Sequence, residues 1–119
     1  MNRKESNFGK DGRIAGTRRK ITGKRYKPSP KSMGLLLQKH GVDLKPHTID
    51  LLWKYHRLIH TNNQDGDLTR LRAFETMVER HYADCCLLNA FVDHWPDRMI
   101  DIGTGAGLPG IPIALSLKN

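Results

Sequence analysis

The ten residues DIGTGAGLPG, Asp101 to Gly110, restrict the folding of this chain more than any other stretch. Before them Arg98 to Ile102 reads as a short strand, and after them Pro109 to about Leu117 reads as a helix with proline in its first turn. Glycines between a strand and a helix let backbone N–H groups approach a ligand closely, and the helix start adds a field that favours negative charge. The pattern points to a nucleotide-like cofactor. It lies nine residues from the end of the sequence, so the remainder of such a site is not expected within it.

Two registers compete inside the turn. Gly105, Gly107 and Gly110 spell GxGxxG, whereas Asp101, Gly103, Gly105 and Gly107 spell DxGxGxG. A dinucleotide site needs its first glycine where the strand closes and its third where the helix packs on the sheet. The strand MIDI closes at Ile102, so the first turn glycine is Gly103 and the dinucleotide register begins too late. Asp101, near the end of an apolar strand, needs hydrogen-bond donors from the turn or from a cationic ligand, because an unpaired buried carboxylate is costly. S-adenosylmethionine carries an ammonium, a sulfonium and a carboxylate and has no pyrophosphate, which suits an acid beside exposed amides. A purely structural turn is the alternative.

The formal net charge of +8 is concentrated at one end. Residues 1 to 34 carry 11 Lys and Arg against Glu5 and Asp11, while the other 85 residues carry 9 basic and 10 acidic side chains. A basic, glycine-rich segment with few large apolar residues buries too little surface to offset its ordering entropy, so residues 1–32 are expected to be a disordered tail. Such an arm suits phosphate backbones; a solubilising tail and a transit peptide are the alternatives, the second implying an organellar matrix. No run approaches the ~20 apolar residues of a membrane span, and a cytoplasmic, monomeric protein is expected. Cys85 and Cys86 are adjacent and suit a reducing compartment as small core residues.

Helical patterns fill residues 33–96. Met33 to His40 reads as a short helix closed by Gly41, and Pro46 starts a second that runs to about His60. TNNQDGD, Thr61 to Asp67, is turn chemistry. From Ala73 to about Val92, Phe74, Met77, Val78, His81, Tyr82, Cys85, Leu88 and Phe91 recur at steps of three and four, which predicts one long amphipathic helix. The fold class is therefore α/β: N-terminal helices over 33–96, then a first β-turn-α unit over 97–119, incomplete in itself because a parallel strand needs neighbours.

Lys39, His40, Gly41 and Val42 stand at the end of the first helix, and Tyr55 and Leu58 form a YxxL element. Asn63 lies four residues before Asp67, Leu68 and Thr69; Arg80, His81, Tyr82, Ala83, Asp84 and Cys85 follow, and finally DIGTGAGLPGIPIA. In this order, over Leu35 to Leu115, the chain resembles the RsmG (GidB) family of methyltransferases. PGIP after the glycines is the specific part. Asn62, Asp67 and Cys85 depart from the Trp, Asn and Ser of the family pattern.

The resemblance implies a class I, Rossmann-like fold and formation of N7-methylguanosine in small-subunit (16S) ribosomal RNA from S-adenosylmethionine, with ribosomal RNA or the small subunit as partner. It also implies cofactor contacts from Gly103 and Leu108, close approach at Gly105 and Gly107, and an orienting role for Asp101. Guanine N7 is a lone-pair acceptor, so no general base is demanded and no catalytic residue is assigned. His81 and Asp84, three apart on one helix face, are expected to pair with each other; the resemblance makes a place on the RNA-side or cofactor-side wall the alternative. His56 and His60 have metal-compatible spacing without a third ligand, so no metal site is expected. Arg57, Arg70, Arg72 and Arg80 are individually solvated residues that together with the tail could form an RNA track. Another S-adenosylmethionine-dependent methyltransferase, or an RNA-binding fragment without catalysis, are the rival readings.

Overall fold

The structure is a computed structural model that describes residues 25–64 and 67–119. The first helix, α1, spans Pro30–Lys39. It begins three residues before the expected Met33, because the KPSPKS run is itself a helix start: the Ser29 side chain accepts from the Ser32 N–H at 3.0 Å and Pro30 occupies the first turn. It ends in a Schellman motif, with Gly41 at φ 82°, the Gly41 N–H on Gln38 O at 3.0 Å and the Val42 N–H on Leu37 O at 2.9 Å. Val42 is thereby turned inward beside Met33, Leu36 and Leu37, all buried. Of the tail expected over 1–32, residues 1–24 lie outside the described residues, and Tyr26 donates its N–H to Glu75 Oε1 at 2.6 Å.

The second helix, α2, spans Pro46–Asn62 and buries Leu52, Tyr55, His56 and Ile59 on one face. Asn63 caps it and governs the loop beyond. Its Oδ1 accepts the N–H groups of Leu68 and Thr69 at 3.0 and 3.2 Å, while its Nδ2 donates to Thr69 O at 2.8 Å. Asn62 is exposed and donates to Leu58 O at 2.8 Å, so this position needs no large apolar group here.

The third helix, α3, covers 74–90 and is not uniform. An α-helical turn, Phe74–Met77, leads into a π-helical stretch, Val78–Ala83, then α-helix again over Asp84–Leu87 and a 3₁₀ turn over Leu88–Ala90. A π turn closes i→i+5 bonds and so rotates every later residue relative to a regular helix. Val78, Tyr82, Ala83, Cys85 and Cys86 face the core, whereas Leu88, in the 3₁₀ turn, and Phe91, just beyond it, both expected on that face, are 41 % and 82 % exposed.

The fourth helix, α4, spans Gly110–Ser116 and buries Pro112, Ile113 and Ser116 against α3. Asn89 Nδ2 donates to Ser116 Oγ at 2.7 Å across this contact. The strand expected over Arg98–Ile102 does not form, and no strand occurs among the described residues. A strand is defined by a ladder, and no other described segment pairs with this one. Its apolar side chains are left on the surface, with Ile100 86 % and Ile102 92 % exposed. The described residues are thus mainly helical, around a core centred on Leu37, Leu52, Met77, Val78 and Tyr82.

Candidate functional site

The turn between residue 101 and α4 is built around one carboxylate. Asp101 Oδ2 accepts from Thr104 Oγ1 at 2.8 Å and from the Gly110 N–H at 2.9 Å, so it ties the two ends of the turn together. Between them Gly103, Gly105 and Gly107 all hold positive φ, at 72°, 59° and 96°. That alternation coils the backbone tightly enough for the Gly107 and Leu108 N–H groups to reach Thr104 O at 3.1 and 3.2 Å.

The five residues singled out in the sequence divide by environment. Gly103 and Gly105 are exposed, and a Cβ built on either would meet no atom within 4 Å, so their backbone faces open space. Gly107 is buried, and a Cβ there would collide with Ile111 Cδ1 and lie 3.4 Å from the Tyr55 hydroxyl. Leu108 packs partly against the helical core. Asp101 is half-buried and engaged as described. Gly110, which the competing register counted as a helix-packing glycine, stands so close to Asp101 that a Cβ would lie 2.7 Å from Oδ2.

Two roles at the turn escaped the sequence reading. Thr104 completes the carboxylate's hydrogen bonds, and the Asp-x-x-Thr spacing is the signal for it. Tyr55 of α2 donates its hydroxyl to Ala106 O at 2.8 Å and so fastens the turn to the helices. Burial, and secondarily Cys85, pushes the Tyr55 phenol up to about 12, which keeps it a neutral donor.

Behind the turn the side chains are structural. His56 Nδ1 and the Tyr82 hydroxyl lie 2.8 Å apart, and burial, then His60, drives the His56 imidazole down to about 4. Burial raises the Tyr82 phenol as well. His81 does not pair with Asp84 as expected: its Nε2 meets Thr69 Oγ1 at 3.1 Å, and Thr69 Oγ1 also accepts the Leu71 N–H at 3.1 Å. The π turn between residues 78 and 83 removes the regular three-residue alignment on which the His81–Asp84 pair depended. Asn63, Thr69 and His81 therefore form one relay that fixes the loop after α2 to α3. Cys85 and Cys86 are free and buried, and burial pushes the Cys85 thiol up to about 11, so neither is a nucleophile at neutral pH. Among the described residues no three His, Cys, Asp or Glu side chains are grouped as metal ligands.

A cleft of about 480 Å³ adjoins the turn, bordered by Trp95, Pro96, Asp97, Met99 and Asp101 on one side and by Ile111 and Ala114 of α4 with Leu117 just beyond it on the other. Gly103 and Gly105 do not line it; it reaches the Asp101 and Gly110 side of the turn. No helix among the described residues is long and apolar enough to cross a membrane.

A helical layer thus clamps an Asp-anchored glycine turn in which the left-handed Gly103 and Gly105 face open space. Residues 48–119 match the family model of "rRNA small subunit methyltransferase G", and the chain belongs to that GidB family. It is 38% identical over 92 residues to ribosomal RNA small subunit methyltransferase G 2 of Syntrophobacter fumaroxidans, covering 77% of this chain and 18% of the relative. It is 36% identical to the ribosomal RNA small subunit methyltransferase G of Nitrosococcus oceani, covering 70% of this chain and 37% of the relative. The corresponding figures for the Escherichia coli protein are 35%, 70% and 39%. The chain thus spans about two fifths or less of the length of these relatives. No solved structure matches it.

Proposed function

We propose that this chain supplies the helical region and the first cofactor contacts of an S-adenosylmethionine-dependent methyltransferase that forms N7-methylguanosine in small-subunit ribosomal RNA. The observation that carries the reading is the turn itself: Asp101 holds its ends while Gly103 and Gly105 leave backbone open, in a chain of this family. The open faces fit a group that must approach amides closely. Gly103 and Gly105 would make that approach, Gly107 keeps the turn packed on α2, and Asp101 sets the orientation. The Leu108 N–H is committed to Thr104 O, which leaves its half-buried side chain for contact.

When bound, S-adenosylmethionine supplies an electrophilic methyl group that guanine N7 accepts without first losing a proton. The residues of this chain therefore need to bind, orient and exclude water, and proximity provides most of the effect. None is needed as a general base, consistent with the neutral, buried state of His56, Tyr82, Cys85 and Cys86.

Residues 97–119 are read as the start of a Rossmann-like domain and 33–96 as a helical domain before it. The exposed Met99, Ile100 and Ile102 support this, since apolar side chains at adjoining positions, broken here by Asp101, suit a strand covered on both faces of a parallel sheet. Ribosomal RNA or the small subunit is the partner, with the basic residues 1–32 on phosphate; the protein is read as cytoplasmic and monomeric. Calorimetry with S-adenosylmethionine and, separately, with NAD tests the register. Weak binding of the first, in the millimolar range, and none of the second is expected; tighter binding of NAD, or no heat from either, refutes the reading.

A further inference from the structure

One stripe of α2 carries Trp53, His56, Arg57 and His60, at steps of three, one and three residues. At this spacing a helix ordinarily presents an apolar face to its neighbour, yet here the stripe carries the exposed Arg57 and it borders a cleft of about 420 Å³. Arg72 and Phe74 close the opposite side, at the start of α3. The floor is aromatic. Trp53 stacks on His56 with ring centres 5.4 Å apart and meets the edge of Phe74 at 6.0 Å, while the indole stays half-buried and borders the cleft.

The stripe has no metal-binding geometry. His56 and His60 are stacked at 6.3 Å with planes 23° apart, which sets the rings face to face, and His56 Nδ1 is engaged by Tyr82. It also lacks acidity. Among the described residues no carboxylate lines the cleft, and the nearby Glu75 is occupied by the Tyr26 N–H. Arg57 and Arg72 are exposed, and Arg57 and Thr61 also border an adjoining depression with Lys54, of about 340 Å³. Pro28 borders the cleft too, so the segment that joins α1 to the basic residues 1–24 passes beside it.

We infer that this cleft binds an unstacked nucleotide of single-stranded RNA, its base on Trp53 and its phosphates on Arg57 and Arg72. An aromatic platform flanked by cations, with no carboxylate and no base-specific hydrogen-bonding set, is the composition by which proteins hold single strands with little sequence preference. Double-stranded RNA offers no free base face to an aromatic platform. A bare polyanion would use the arginines and leave the indole unused. The inference rests on the RNA-directed reading of the chain and deepens it, placing a substrate contact in the helical region, away from the glycine turn.

The test uses the 119-residue chain with Trp95→Phe, which leaves Trp53 as its one indole. Unstructured, fluorescein-labelled RNA of about ten nucleotides, within the span of single-strand sites, is titrated by anisotropy and by Trp53 emission, with inorganic polyphosphate as the baseless comparison. The unmodified chain is followed in parallel at the Trp53 indole N–H resonance, which guards against any effect of the background change. RNA is expected to quench Trp53 to saturation and polyphosphate is not. The double variant Arg57→Gln, Arg72→Gln should lower the slope of log affinity against log salt by about 1.4, at about 0.7 for each single-strand phosphate that an arginine no longer neutralises. RNA that binds by anisotropy while Trp53 stays unchanged, or an unaltered slope in the double variant, overturns the cleft and leaves the methyltransferase reading standing. Absence of any RNA binding overturns it as well. Failure of S-adenosylmethionine to bind the turn is a separate result that does not bear on Trp53.

Discussion

Replacing Asp101 is the sharpest perturbation of the turn. Its Oδ2 holds Thr104 Oγ1 at 2.8 Å and the Gly110 N–H at 2.9 Å. Hydrogen bonds to a charged group contribute about 1.5–3 kcal/mol each, and the half-buried position returns part of that to water on removal, so Asp101→Ala is expected to cost about 2 kcal/mol. Asp101→Asn keeps an acceptor of the same shape and loses the charge, so about 1 kcal/mol is expected. In urea, with a slope of about 1–2 kcal/mol/M for a chain of this size, the alanine variant should unfold about 1–2 M earlier. The local consequence is more diagnostic. Amide exchange at Gly110 should accelerate in Asp101→Ala and much less in Asp101→Asn, while amides in the middle of α2 follow global stability alone. Unchanged protection of Gly110 in the alanine variant would refute the claim that this carboxylate holds the turn.

Four further outcomes follow from the same geometry. Tyr55→Phe removes the hydroxyl that reaches Ala106 O and should cost about 1 kcal/mol, read as faster exchange in the turn with little change in helicity. Gly107→Ala should cost more than Gly41→Ala: both have positive φ, an alanine penalty of about 1 kcal/mol, but only at Gly107 does the new Cβ strike Ile111, and equal thermal shifts would contradict this. His56 falls from 6.5 to about 4 in the fold, so the unfolded chain binds the proton more readily; stability is full above about 6.5 and declines as pH drops toward 4, by at most about 3 kcal/mol. Denaturation midpoints across that window check it, and a midpoint that rises on acidification would reverse the assignment. Deleting residues 1–24, which spares α1 and its Ser29 cap, should weaken RNA binding and flatten its salt dependence, as their charge implies, and an unchanged slope would remove the arm from RNA contact.

The helices were legible because their signals are local. Pro46 in a first turn and Gly41 at a helix end act within a few residues of themselves, and α2 and the close of α1 lie where the pattern puts them. Other features depend on what lies across space. The apolar spacing of residues 74 to 91 fits a regular helix, and nothing in it announces the π turn at 78–83 or the 3₁₀ turn that ends the helix before the exposed Phe91. The run 98–102 has the composition of a strand, but hydrogen-bonded partners make a strand, and the described residues provide none. Within the turn, Asp101 and the glycines stand out in the sequence, whereas the anchoring by Tyr55 spans 51 residues and is written in no local pattern. Asn63, Thr69 and His81, which stand apart in the sequence, prove to be a single hydrogen-bonded relay across the loop after α2.

Everything proposed for the turn depends on its open side, at Gly103 and Gly105, receiving S-adenosylmethionine. A residue-resolved titration of the isotope-labelled chain addresses this, following backbone amides from below to about ten times a millimolar dissociation constant, where about 4 kcal/mol of binding is at stake. Saturating shifts centred on Asp101, Gly103 and Gly105 are expected, abolished by Gly103→Val and absent with NAD. Shifts confined to the Trp95 cleft or the helices, or none at all at saturating concentration, would contradict it.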